Sequence, residues 1–138
     1  MPSHRAVDEF GMTELNGLTG TIIQASLQVH RDLGPGLLES VYETVLCSML
    51  TARSLRVRRQ HAVRFQYDGV IFENAFRVDL LVEDCVVVEI KSVARIEPVF
   101  RAQLLTYIRL MNMPLGLLIN FGAPTLKEGL KRVINRRL

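Results

Sequence analysis

Two runs of mostly apolar, β-branched residues, Ala75-Phe-Arg-Val-Asp-Leu-Leu-Val82 and Cys85-Val-Val-Val-Glu-Ile-Lys91, flank the polar pair Glu83-Asp84. Runs of this length and composition form strands, and the polar break between them makes a β-hairpin with at least one buried face. Inside them stand three charges, Asp79, Glu89 and Lys91. Stability alone gives no reason for them. A carboxylate desolvated in a sheet costs several kcal/mol unless compensated, and two carboxylates about 4 Å apart repel by roughly 4 kcal/mol at an effective dielectric near 20. A divalent cation, Mg²⁺ or Mn²⁺, removes that penalty. Two acidic ligands and a neighbouring lysine therefore point to a metal site that activates water for attack on a phosphodiester.

Strand parity constrains this reading. Side chains alternate across a strand, so Val87, Glu89 and Lys91 share one face while Val86, Val88 and Ile90 pack the other into a core. Asp79 joins Glu89 only if the hairpin pairs the two, which requires the three-residue loop Glu83-Asp84-Cys85 or a bulge. A two-residue turn would turn Asp79 to the opposite face.

The remaining elements follow from periodicity. Thr13 caps a helix with Leu15, Leu18, Ile22, Ala25 and Val29 at helical spacing, ending near Leu33 before Gly34-Pro35-Gly36. A second helix covers 37–54, with Leu38, Val41, Tyr42, Val45, Leu46, Met49 and Leu50 as its apolar stripe. Val57 to Tyr67 and Val70 to Val82 are strands joined at Asp68-Gly69, a two-residue hairpin signal. Pro98 starts a helix running to about Asn112, Leu115 to Phe121 is an interior strand, and a last helix spans Thr125 to about Arg136. The order is α-α-β-β-β-α-β-α, an α/β sandwich with a mixed sheet.

At 138 residues, with 49% hydrophobic and 22% charged residues, the chain is sized and composed for one globular domain over 13–138. Residues 1–12 read as a flexible leader without the apolar segment of a secretory signal, and no apolar tract is long enough to span a bilayer. Cys47 and Cys85 lack zinc-ligand spacing and read as reduced thiols of a cytoplasmic protein. The net charge of +3 is unevenly spread. One basic cluster is Arg53, Arg56, Arg58, Arg59, His61 and Arg64; a second is Lys127, Lys131, Arg132, Arg136 and Arg137. Either suits nucleic-acid phosphates, though edge-strand arginines also discourage aggregation and basic residues complement a helix C-terminus.

Several motifs stand in order on these elements: Gly36-Leu-Leu-Glu39-Ser-Val-Tyr42, then Asp79, Glu89 and Lys91, then Gln103 and Tyr107, then Asn120-Phe121-Gly122. Together they resemble the GxxExxY family, a branch of the PD-(D/E)xK nuclease superfamily with a RecB-like Q-x-x-x-Y motif, from about Leu18 to Arg132. The resemblance implies a restriction-endonuclease-like α-β-β-β-α-β core with an extra N-terminal and a C-terminal helix. It implies that Asp79 and Glu89 bind Mg²⁺ with the Ile90 carbonyl, that Lys91 assists the attacking water, and that Gln103 and Tyr107 position Lys91 and the substrate backbone. Val78 replaces the superfamily's proline before the aspartate.

Each residue also has a plainer role. Asp79 could pair with Arg77 or Arg95, and Glu89 with Lys91 could be an edge ion pair worth under about 1 kcal/mol. Of Glu39 and Glu43, Glu39 lies nearer the expected apolar stripe and is the better candidate for the sheet side and the metal. Tyr42 reads as a core ring with a wet hydroxyl, and His30 as a packing or dipole-complementing residue. The function expected is metal-dependent hydrolysis of DNA, or of RNA; the alternatives are a non-enzymatic nucleic-acid-binding or repair-complex subunit on the same fold, and a homodimer or subunit whose partner supplies specificity.

Overall fold

The computed structural model describes residues 12–138. The leader expected over residues 1–12 therefore lies, Met12 apart, outside the described residues. Helices α1 (Met12–Leu33) and α2 (Glu39–Ala52) precede strands β1 (Val57–Tyr67), β2 (Val70–Val82) and β3 (Val86–Lys91). Helix α3 (Pro98–Met111), strand β4 (Leu115–Asn120), the single turn α4 (Leu126–Gly129) and strand β5 (Leu130–Ile134) follow. Thr13 is inside α1 and does not cap it. Pro98 opens α3, where its missing N–H costs nothing, and Asn112 closes it in the left-handed conformation.

The five strands form one sheet in the order β1-β2-β3-β4-β5. Only β3 and β4 run parallel, because α3 carries the chain back between them; the other neighbours are antiparallel. The tight β1–β2 turn is made by Asp68 (φ 49) and Gly69 (φ 77), as the Asp-Gly signal requires.

Two cores lie on the two faces of the sheet. On one, Ile22, Ala25 and Val29 of α1 and Tyr42, Leu46 and Leu50 of α2 cover Val86, Val88 and Ile90 of β3 with Leu115, Leu117 and Ile119 of β4. On the other, Leu104 and Ile108 of α3 cover Leu81, Val87, Leu118 and Val133. This is why β4 is buried at every residue and shows no polar alternation.

The chain end departs from expectation. The helix expected from Thr125 to Arg136 stops after one turn, and Leu130–Ile134 pairs with β4. Leu126, Leu130 and Val133 have helical spacing, but an interval of three puts residues of a strand on opposite faces. Leu130 packs on the α1–α2 core and Val133 on the α3 core. Pairing with β4 overrides the local preference, and Lys131 and Arg132 become edge-strand residues rather than helix-end charges.

Candidate active site

The β2–β3 hairpin delivers the two acids. Leu80 faces Val88, Leu81 faces Val87 and Val82 faces Val86 across the loop Glu83-Asp84-Cys85, so Asp79 and Glu89 are the next residues opposite each other. The ladder gives way there, and the Ile90 N–H is donated to Asp79 Oδ2 at 2.8 Å. Ile90 itself is buried against α1 and α2, which leaves Glu89 and Lys91 on the α3 side. Lys91 Nζ lies 4.6 Å from the centre of the Phe100 ring. Tyr107, one turn after the exposed Gln103, is half-buried and stacks on Phe76 with ring centres 4.1 Å apart.

Burial dominates the electrostatics. Glu89 is 8% exposed. Desolvation first, then the charge of Asp79 and a hydrogen bond to it, push the Glu89 carboxyl up to about 9 against the opposing pull of Lys91. Its Oε1 is buried without a hydrogen-bond partner among the described residues. The Tyr107 phenol is raised by burial and by the charges of Glu89 and Asp79. Arg77 is not the counter-ion of Asp79: its Nη1 donates to the Gln60 carbonyl at 3.2 Å.

The two glutamates of α2 exchange places relative to expectation. Glu43 is 6% exposed and Glu39 is exposed. The helix starts at Glu39 and buries Tyr42, Glu43, Leu46 and Leu50, while Leu38 and Val41 of the expected stripe face solvent, which turns the sheet-facing side towards Glu43. Glu43 Oε2 accepts from Arg59 Nη2 at 3.0 Å and Oε1 from Gln60 Nε2 at 2.6 Å. Glu39 still reaches the site's edge, with Oε2 3.4 Å from the Ser92 N–H. Gln60 also donates to Asp79 Oδ1 at 3.2 Å, a contact that nothing in the sequence signals.

A frame holds the segment after Lys91. Asn120 Oδ1 accepts from the N–H of Val93 (2.9 Å) and of Gly122 (3.0 Å), and Nδ2 donates to Val93 O. The Phe121 N–H donates to Lys91 O, and the Phe121 ring stacks on Tyr42 at 4.5 Å. The Tyr42 hydroxyl is not wet; it donates to Gly34 O and accepts from the Leu37 N–H. Ser92 Oγ donates to Leu37 O at 2.6 Å. His30 Nε2 bonds Ala123 O, a packing role. A Cβ on Gly122 would stand 2.3 Å from Val93 O and 2.6 Å from Val93 N. Gly122→Ala is therefore expected to lower unfolding free energy by about 2 kcal/mol through backbone overpacking; an unchanged urea midpoint would show that the contact is relieved cheaply.

The first basic cluster is largely ion-paired. Arg56 bridges Glu83 and Asp84, Arg58 meets Asp84, Arg59 meets Glu43 and Arg64 meets Glu73, while Arg53 bonds Met49 O. All five arginines are exposed on or beside the edge strand β1, which blunts that edge.

No group of three or more His, Cys, Asp and Glu side chains gathers to hold a metal among the described residues. The fit to a hard cation rests on two facing carboxylates, one with a buried oxygen that has no other partner. No described helix is long and apolar enough to cross a membrane. The sequence model of the PD-(D/E)XK nuclease superfamily matches residues 16–133, and the mixed sheet between helices is consistent with its restriction-endonuclease-like fold. No curated protein and no solved structure matches the chain.

Proposed function

The chain belongs to the PD-(D/E)XK nuclease superfamily, and from that premise we propose that it is a metal-dependent nuclease acting on DNA in the cytoplasm, with Asp79, Glu89 and the Ile90 carbonyl holding Mg²⁺ or Mn²⁺. The observation that carries the reading is the Glu89 carboxyl, almost solvent-free beside Asp79, with its Oε1 buried and unpartnered among the described residues. An acid pair placed so gains nothing for stability and suits a cation. A cation held there supplies charge stabilisation for the phosphoryl group and a lowered pKa for water.

The chain's own residues do the rest. Asp79 keeps Oδ2 on the Ile90 N–H, which fixes its carboxylate relative to β3. Lys91, braced on the Phe100 ring, offers Nζ to the attacking water and to developing phosphoryl charge. Phe100 also lines an open cleft of about 300 Å³ with Val93, Ala94, Arg95 and Glu97, a path for the substrate backbone beside Lys91. Tyr107 is locked by its stack on Phe76 and keeps its phenolic proton as a donor, with Gln103 exposed one turn away for the substrate strand. Glu39, at the Ser92 N–H, stands ready as an outer contact. The free thiols Cys47 and Cys85 suit a reducing compartment.

The test is incubation with single- and double-stranded DNA and RNA in Mg²⁺ or Mn²⁺. EDTA-sensitive cleavage of DNA is expected. Salt-dependent binding with no turnover on any substrate and no metal uptake would instead identify a non-enzymatic subunit that binds nucleic acid.

A further inference from the structure

Gln60 is where strand β1 breaks its own geometry. Arg59 pairs with Leu80 and His61 with Val78, but Gln60 drops out of the ladder and takes φ 47, an uncommon conformation for a residue with a side chain. Its carbonyl is held by Arg77 Nη1. The partner strand turns over at the same level. Leu80 and Val82 pack in the α1–α2 core, whereas Val78 packs with Leu81 in the α3 core, so the alternation of β2 is lost at Asp79. Unusual backbone of this kind persists where surrounding structure enforces it, and it concentrates at functional sites.

The side chain shows what the distortion achieves. Gln60 Nε2 lies 2.6 Å from Glu43 Oε1 and 3.2 Å from Asp79 Oδ1. Both acceptors are carboxylate oxygens of acids, so the amide must turn its two-hydrogen nitrogen towards them. Glu43 is anchored from behind by Arg59. The result is a chain from the buried, arginine-paired Glu43 on α2, through one amide, to Asp79 on β2. Asp79 then has one oxygen on Gln60 and the other on the Ile90 N–H, which defines the plane of its carboxylate.

We propose that Gln60 is a positioning residue that orients the Asp79 carboxylate for cation binding from the left-handed kink in β1. This rests on the nuclease reading for its purpose, and its test separates the two. In the full-length protein, Gln60→Met keeps length and removes both hydrogen bonds. Exchange of the Ile90 amide, read against Leu117 at the centre of the sheet, is expected to speed up at least tenfold, and Mn²⁺ affinity by calorimetry to fall at least tenfold.

The double substitution Glu43→Gln with Gln60→Glu restores a helix-to-sheet hydrogen bond with its direction reversed, but sets a carboxylate beside Asp79. It is expected to keep the protein folded, with α2 tied to the sheet, without recovering Ile90 protection or Mn²⁺ affinity. It also serves as the deciding variant if Gln60→Met does not fold. Wild-type Ile90 protection and Mn²⁺ affinity in Gln60→Met, or recovery of both in the double variant, would overturn the proposal and leave Gln60 as a tie between α2 and the sheet. A wild-type protein that binds no Mn²⁺ would remove the cation reading, while Ile90 exchange would still decide whether Gln60 fixes Asp79.

Discussion

Replacing Lys91 with alanine is expected to lower cleavage by about 10²–10⁴-fold while the protein stays folded. The backbone at Lys91 is held without its side chain: it pairs with Asn120 on β4, and its carbonyl accepts the Phe121 N–H. What disappears is the Nζ beside the acid pair and its packing on Phe100. Lys91 also pulls the Glu89 carboxyl downward, so its loss raises that group further and should weaken Mn²⁺ binding as well as turnover. Rates at saturating metal, compared with rates at limiting metal, separate the two effects. A purely electrostatic role through Glu89 is cured by excess metal; direct assistance to water is not. Cleavage at the wild-type rate in the folded variant would remove Lys91 from the chemistry.

The hairpin was legible because strands obey a strict parity. The polar Glu83-Asp84 break, two apolar runs and the demand that Asp79 meet Glu89 together require a three-residue loop, and Val82 does face Val86 across Glu83, Asp84 and Cys85. The sheet-facing side of β3 and the Asp68-Gly69 turn followed from equally local rules. What the sequence hid depends on contacts far along the chain. Leu126, Leu130 and Val133 fit a helix by spacing, and only an unpaired β4 edge draws Leu130 and Val133 into a strand. Glu39 and Glu43 differ by one turn, and which faces the sheet is decided by where the Gly34-Pro35-Gly36 connector lets α2 begin. Gln60 carries no signal, since Arg-Arg-Gln-His reads as an ordinary polar edge until a left-handed backbone sets its amide between two acids.

Glu89→Gln is expected to make the metal-free protein more stable than wild type at alkaline pH and to abolish its stabilisation by Mg²⁺. The folded-state carboxyl is raised to about 9 from an unfolded value of 4.5. The folded protein therefore holds a proton that the unfolded chain gives up, so this contribution is fully present below about pH 4.5 and is lost as pH rises through about 9. Across that window wild type should lose several kcal/mol relative to the variant, because glutamine mimics the protonated acid and does not titrate. Metal opposes this loss. Binding requires the deprotonated pair, so excess Mg²⁺ should restore wild type most strongly at high pH, by about 2.7 kcal/mol at one hundred times its dissociation constant. Urea unfolding of both proteins between pH 5 and 9, with EDTA and with Mg²⁺, measures all four curves. Coincident curves in EDTA would mean that Glu89 is not held protonated by its burial beside Asp79. Equal Mg²⁺ stabilisation of both proteins would place the cation elsewhere on the molecule.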